Sequence, residues 1–167
     1  MTTNSAVLPL KNAEKFILGG IAYLTIESRG TGERFTYRVN ALDREDNKPP
    51  LWWVFLLTGP NNLKDYEYIG AIRSDRKRDQ CWFKHTKASH VSEDAKSFRS
   101  FNWLWQKLHA KEFKHIAERA VVYHMGRCAR CGRALTVPAS IACGFGPECA
   151  KKLGVPYGKT EAEGDNT

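Results

Sequence analysis

The chain reads as an α+β protein: a small, mainly antiparallel β-sheet packed by one long helix and followed by a C-terminal zinc-binding module. Three features carry that expectation. Between residues 21 and 83, short apolar runs of strand length are separated by turn residues. After Ser92 the apolar residues recur at steps of three to five. Beyond that stripe, four of the five cysteines fall within residues 126–149, "GRCARCGRALTVPASIACGFGPEC".

In chain order, residues 1–14 read as a flexible arm. "IAYLTIES", starting at Ile21, is apolar and β-branched, and Arg29-Gly30-Thr31-Gly32 supplies a turn. Phe35, Tyr37 and Val39 then alternate with Thr36 and Arg38, which makes the pair a hairpin. "LDREDNKPP" is a polar loop closed by two prolines. "LWWVFLLT", from Leu51, has no alternation and is expected in the middle of the sheet, covered on both faces. "GPNN" is a turn, "DYEYIGAIR" a fourth strand, and Trp82-Phe83 a short fifth.

Phe98, Phe101, Leu104, Trp105, Leu108, Phe113 and Ile116 form a helical stripe. Ser92 is the expected cap, with Glu93 and Asp94 in the first turn. This predicts a single helix of up to about 25 residues laid across the sheet. "AVVY", from Ala120, returns as a strand or completes the packing. The predicted organisation is therefore an arm (1–14), a sheet-plus-helix domain (15–120), a zinc-binding module (121–157) and an acidic disordered tail (158–167).

The formal net charge is +8 and the isoelectric point about 9.3. The excess is concentrated in residues 73–87 and 127–152, a balance that favours a polyanionic partner, chiefly nucleic acid. The longest apolar run is strand length, so no membrane span is expected. The N-terminal residues lack a basic region followed by an apolar one, which points to a cytoplasmic protein. In a reducing compartment clustered cysteines are metal ligands more often than disulfides.

Cys128 and Cys131, two residues apart and followed by Gly132, can point both thiolates at one ion. Zinc needs four such donors. Cys149, just after Gly146-Pro147 where a short helix can start, is the clear third. The fourth is either Cys143, the softer donor, or His124, four residues before Cys128. Zinc is favoured over a redox dithiol because no βαβ pattern surrounds the pair.

"HMGRCARCGRALTVPASIACGFGPECA" resembles a zinc-ribbon-like family of phage and prophage proteins. The shared pattern is His-x-Gly-x-Cys-x-x-Cys-Gly-Arg-x-Leu-Thr-x-Pro-x-Ser-Ile, then Gly-x-Gly-Pro-x-Cys, and it covers residues 123–151. The resemblance implies His124, Cys128, Cys131 and Cys149 as ligands of a structural Zn²⁺, with the position of Cys143 variable. It also implies a phage-encoded protein acting in the host cytoplasm. The front part, from "GGIAYLTIESRGTGERFTYRV" through "LLTGPNNLKDYEYIGAI", is more loosely similar to the usual partner of this module. The family brings no activity with it, and Met125 stands where an acidic residue is frequent.

No nucleophile elbow, phosphate-binding Gly-rich loop, His-Glu-x-x-His or deaminase signature occurs, so a non-enzymatic protein is expected. Asp43, Glu45 and Asp46 read as a solvated turn, and His85 and His90 near Cys81 as surface histidines. Most of the five tryptophans are expected in the core. The first functional expectation is binding to single-stranded or non-specific nucleic acid through Arg73, Arg76, Lys77, Arg78, Trp82, Lys84, Lys87, Arg127, Arg130, Arg133 and Lys151, cations beside an aromatic platform. The alternative is a protein-binding accessory factor that inhibits or redirects a host complex.

Overall fold

The computed structural model describes residues 6–43, 48–75, 77 and 80–158. Seven strands run β1 (Ala6–Val7), β2 (Ile21–Ser28), β3 (Arg34–Ala41), β4 (Leu51–Leu57), β5 (Tyr66–Asp75), β6 (Gln80–Lys84) and β7 (Ala120–His124). Five helices are α1 (Leu10–Ile17), α2 (Lys96–His109), α3 (Phe113–Arg119), α4 (Pro138–Cys143) and α5 (Pro147–Leu153). The strands form one sheet in the order β1-β7-β2-β3-β4-β5-β6, and every pairing is antiparallel. Strands β2 to β6 form a meander. After the helical layer the chain returns as β7 beside β2, and β1 borders β7. Among the described residues β1 and β6 remain edges, so the sheet is open rather than a barrel.

Alternation along the strands sorts side chains onto two unlike faces. One face carries Ala22, Leu24, Ile26, Tyr37, Val39, Val54, Leu56, Ile72, Phe83 and Val122, all buried. Against it lie Phe16 and Ile17 of α1, Phe98, Phe101, Leu104, Trp105 and Leu108 of α2, and Ile116 of α3, in one continuous cluster. Hydrogen bonds pin the layers. Tyr37 Oη donates to Ser97 O, Trp105 Nε1 to Cys81 O at 3.2 Å, and Trp52 Nε1 to Leu18 O at 3.2 Å.

Several expectations are corrected. Residues 6–14 are not a loose arm: β1 pairs with β7, and Leu8, Ala13, Phe16 and Ile17 are buried. The single long helix is two, because the chain breaks at Ala110–Glu112 with Lys111 in the left-handed region (φ 59°). Ser92 does not cap α2. It closes a turn three residues earlier, where its Oγ accepts from Asp94 N at 3.1 Å. β4 is central but covered on one side only, since its burial alternates and Trp53 is 40% exposed. Of the tryptophans only Trp105 is fully buried. The core also continues through Leu135, Cys143, Phe145, Ala150 and Val155, so residues 121–157 share it with the sheet. Residues 1–5 of the arm, Glu45 and Asp46 of the acidic turn, and residues 159–167 of the tail lie outside the described residues.

The two kinds of tryptophan separate cleanly in a stability measurement. Trp105→Ala removes a 1%-exposed ring and its hydrogen bond and is expected to cost about 3–5 kcal/mol in urea unfolding. Trp53→Ala on the open face is expected to cost under about 1 kcal/mol.

Candidate metal centre and open sheet face

The C-terminal module begins where β7 ends. The chain turns at Gly126 and forms a short hairpin: Cys128 N donates to Arg133 O at 2.9 Å, Gly132 N to Cys128 O at 2.8 Å, and Leu135 N to Gly126 O at 2.7 Å. Gly132 adopts φ 78°, a conformation a side chain disfavours, which lets the loop fold back on the first cysteine. α4 ends at Gly144 with φ 86°, where an added Cβ would come within 2.9 Å of the Phe16 ring. Phe145 then packs edge-on against Phe16 at 5.7 Å, and α5 starts at Pro147. Ile21 N donates to Ala129 O at 2.7 Å and fastens the hairpin to the start of β2.

This path brings Cys128, Cys131 and Cys149 together, with their sulfurs all within 4.8 Å of one another. Sulfurs around a tetrahedral zinc at ~2.3 Å stand about 3.8 Å apart, so the donor set fits a metal ion. Burial pushes the Cys128 thiol up, but the N–H groups of Gly146, Cys131 and Arg130 outweigh it and hold the thiol below its ordinary value. Burial raises Cys149; Arg130, whose Nη1 lies 3.7 Å from that sulfur, opposes the rise, while the neighbouring cysteines add to it. The Cys128 thiolate is thus favoured, and Cys149 resists ionising beside it. A cation relieves that conflict.

Neither expected fourth donor joins the cluster. Both nitrogens of the buried His124 are engaged with backbone: Nδ1 accepts from Gly126 N at 2.9 Å, and Nε2 lies 2.5 Å from Ile141 O. Burial lowers its pKa, so it is a neutral ring tying β7 to α4, and Phe16 lies 6.0 Å from it. Cys143 is buried, its thiol raised by desolvation and directed at Phe145 O at 3.3 Å. Among the described residues no other group of three His, Cys, Asp or Glu donors gathers. His85, by contrast, bonds Val91 O at 2.8 Å and faces Glu93.

The expected nucleic-acid residues divide into two sets. Arg73, Trp82 and Lys84 meet on the sheet face opposite the helices: Arg73 is the cross-strand partner of Trp82, and Lys84 of Ala71. Ala71 also pairs with Trp53. Around them lie Phe55, Tyr66, Tyr68 and Tyr23, in ring contacts of 5.9–6.4 Å with one another or with Trp53. Arg38 covers Phe55 at 4.5 Å and Tyr66 at 5.0 Å. Burial, helped by Tyr23 and opposed by Arg38, pushes Tyr66 up to about 12. Sequence reasoning missed this second half of the platform. The signal was present, since Trp53, Phe55 and Leu57 sit at every other position of β4.

Lys77 is exposed in the β5–β6 turn and Lys87 in the turn after β6, while Arg76 and Arg78 lie outside the described residues. The module cations are elsewhere. Arg127 donates to Gly132 O at 3.0 Å and Arg130 faces the Cys149 sulfur, whereas Arg133 and Lys151 are exposed.

Native mass spectrometry is expected to find one divalent ion per chain. The ion is lost in Cys128→Ser and Cys149→Ser and retained in Cys81→Ser and His124→Gln. Chelation is expected to loosen the knuckle, residues 126–135, while leaving the sheet folded and the rest of the module in place, because Phe145 and Ala150 stay anchored in the common core. No helix among the described residues is long and apolar enough to cross a membrane. No curated protein and no solved structure matches the chain. Residues 118–154, from the end of α3 through α5, match a family of unknown function, DUF6011.

Proposed function

We propose that the protein is non-enzymatic and binds single-stranded nucleic acid, without strong sequence preference, across the open face of its sheet. A structural zinc ion shapes the module at one end of that sheet. The reading rests on one observation, the juxtaposition of Trp53, Ala71, Arg73, Trp82 and Lys84 on a face that no helix among the described residues covers.

Trp53 and Trp82 are 40% and 41% exposed. Among the described residues their indole N–H groups have no hydrogen-bond partner, whereas those of Trp52 and Trp105 are bonded to carbonyls. The two rings stand two strands apart and two residues out of line, roughly 12 Å by strand geometry. Bases stacked on them would be separated by an intervening nucleotide of an extended strand. Ala71 lies between the strands that carry them and keeps the floor low. Arg73 and Lys84 form no ion pair among the described residues, so both can meet phosphates without breaking an existing contact. Every base has a π-face, which makes such a platform tolerant of sequence.

The donors of the metal centre suit a structural ion. The three donors in place are all cysteines, whereas the three-ligand catalytic sites carry at least one histidine. Three thiolates against a dication leave one negative charge, and Arg130 beside Cys149 offsets it. Arg127 and Arg130 are thereby committed to the knuckle, and Arg133 and Lys151 remain as its phosphate-facing cations.

Fluorescence anisotropy with a labelled oligothymidylate tests the reading. Binding is expected at ~50 mM salt and falls steeply as salt is raised. Trp82→Ala is expected to weaken it by roughly 5- to 150-fold, and Arg73→Ala to lower the salt slope by about one. Absence of binding at ~50 mM salt would sink the proposal.

A further inference from the structure

The helix side of the sheet opens into a cavity of about 510 Å³ at the end away from the metal module. Its floor is apolar, formed by Ile26, Phe35 and Ala120. Its rim carries Trp103 and three cations, Lys96, Arg99 and Arg119. The one carboxylate there, Glu33, is already held by Lys96 at 3.0 Å. Arg99 and Arg119 have no ion pair among the described residues, so the rim has two uncompensated guanidinium groups. The first turn of α2 contributes Lys96 and Arg99, and no side chain caps its N–H groups, so the positive end of that helix adds to the same potential.

Trp103 completes the chemistry. It is half-buried, braced by His115 at 6.0 Å between ring centres, and its indole N–H has no partner among the described residues. A flat ring can lie against it while the guanidinium forks take an oxyanion. Arginine suits phosphate because its planar donors bind two oxygens at once. The volume lies within the range of ordinary ligand sites. A bare phosphate would leave the apolar floor and Trp103 unused, and a neutral aromatic would leave two cations unmet.

We propose that this cavity binds a nucleoside monophosphate, either free or as the 5′-phosphorylated end of a strand, with the base against Trp103 and the phosphate on Arg99 and Arg119. The site lies on the opposite side of the sheet from Trp53 and Trp82, and it does not require the open-face reading to hold.

Isothermal titration of the full chain with AMP, GMP, CMP and UMP is the test, with inorganic phosphate as the control. At least one nucleotide is expected to bind with a Kd below ~1 mM, and phosphate at least about tenfold more weakly. Arg99→Ala and Arg119→Ala, both exposed and so expected to leave the thermal midpoint nearly unchanged, are each expected to weaken binding about tenfold. Trp103→Leu is expected to weaken the nucleotide and not phosphate. The double variant Trp53→Ala/Trp82→Ala is expected to bind the nucleotide as the parent does, which separates this site from the open face. A 5′-phosphorylated trinucleotide binding more tightly than the free nucleotide identifies a strand end as the ligand; weaker binding identifies the free nucleotide. No nucleotide binding with a Kd below ~1 mM overturns the proposal, as does binding that survives both arginine substitutions or binding that phosphate matches.

Discussion

Helices α1, α2 and α3 all bury their apolar residues against the same face of the sheet, and the rest of the molecule follows from that one-sided burial. Phe16, Phe101, Leu104, Trp105 and Ile116 meet Leu24, Tyr37, Val39, Val54 and Ile72 in a single cluster. An antiparallel sheet can leave its second face to water, and that face is normally polar. Here it mixes polar side chains with a group of aromatic rings, and no helix among the described residues covers it. Tyr23, Phe55, Tyr66 and Tyr68 shield one another edge to face, and Arg38 lies over two of these rings while bonding Asn40 at 2.8 Å. The aromatic surface is thus partly satisfied within the chain, and only its margin, at Trp53 and Trp82, stands open.

The module at the end of β7 stays ordered by two means of different range. Phe145, Ala150 and Val155 extend the common core into it, and Gly144 is what allows the chain to pass so close to Phe16. This apolar anchoring sets where the module sits. It does not set the conformation of the knuckle, in which three sulfurs crowd within 4.8 Å and two of them, Cys128 and Cys149, favour ionisation unequally. Without a cation the crowding is a cost, and with one it becomes a set of ligands. Core packing places the site, and the ion would fix its geometry.

Much of this was legible in the sequence, and each misreading has a physical cause. The hairpin, the basic turn and the three cysteines could be read because period-two alternation, glycine turns and ligand spacing are local signals. β4 was misread because "LWWVFLL" is apolar on both faces, so the pattern could not reveal that one face lacks a cover. The break between α2 and α3 has no glycine or proline to mark it; Lys111 takes the left-handed turn itself. α1 did leave a trace, since Leu10, Ala13, Phe16 and Ile17 fall on one helical face after Pro9, but a terminal segment reads easily as an arm. His124 stands apart from these. Ligand spacing and a buried, backbone-bonded ring impose the same sequence requirement, and only the positions of Gly126 N and Ile141 O separate them.

The strand directions give the two anion-attracting regions their distinct settings. The antiparallel register places the start of β2, the end of β5, the start of β6 and the end of β7 at one end of the sheet. The metal module and the β5–β6 turn therefore flank the same end, with Arg73 and Trp82 between Lys77 on one side and the knuckle on the other. The cavity beneath α2 lies at the opposite end, beside the β2–β3 turn, and on the other face. A ligand on the open sheet meets exposed rings and cations spread over several strands, which suits an extended chain with repeated phosphates. A ligand in the cavity meets one ring and two guanidinium groups above an enclosed floor, which suits a single compact anion. The same excess of positive charge is thus divided into a surface that can follow a polymer and a recess that can hold one unit of it.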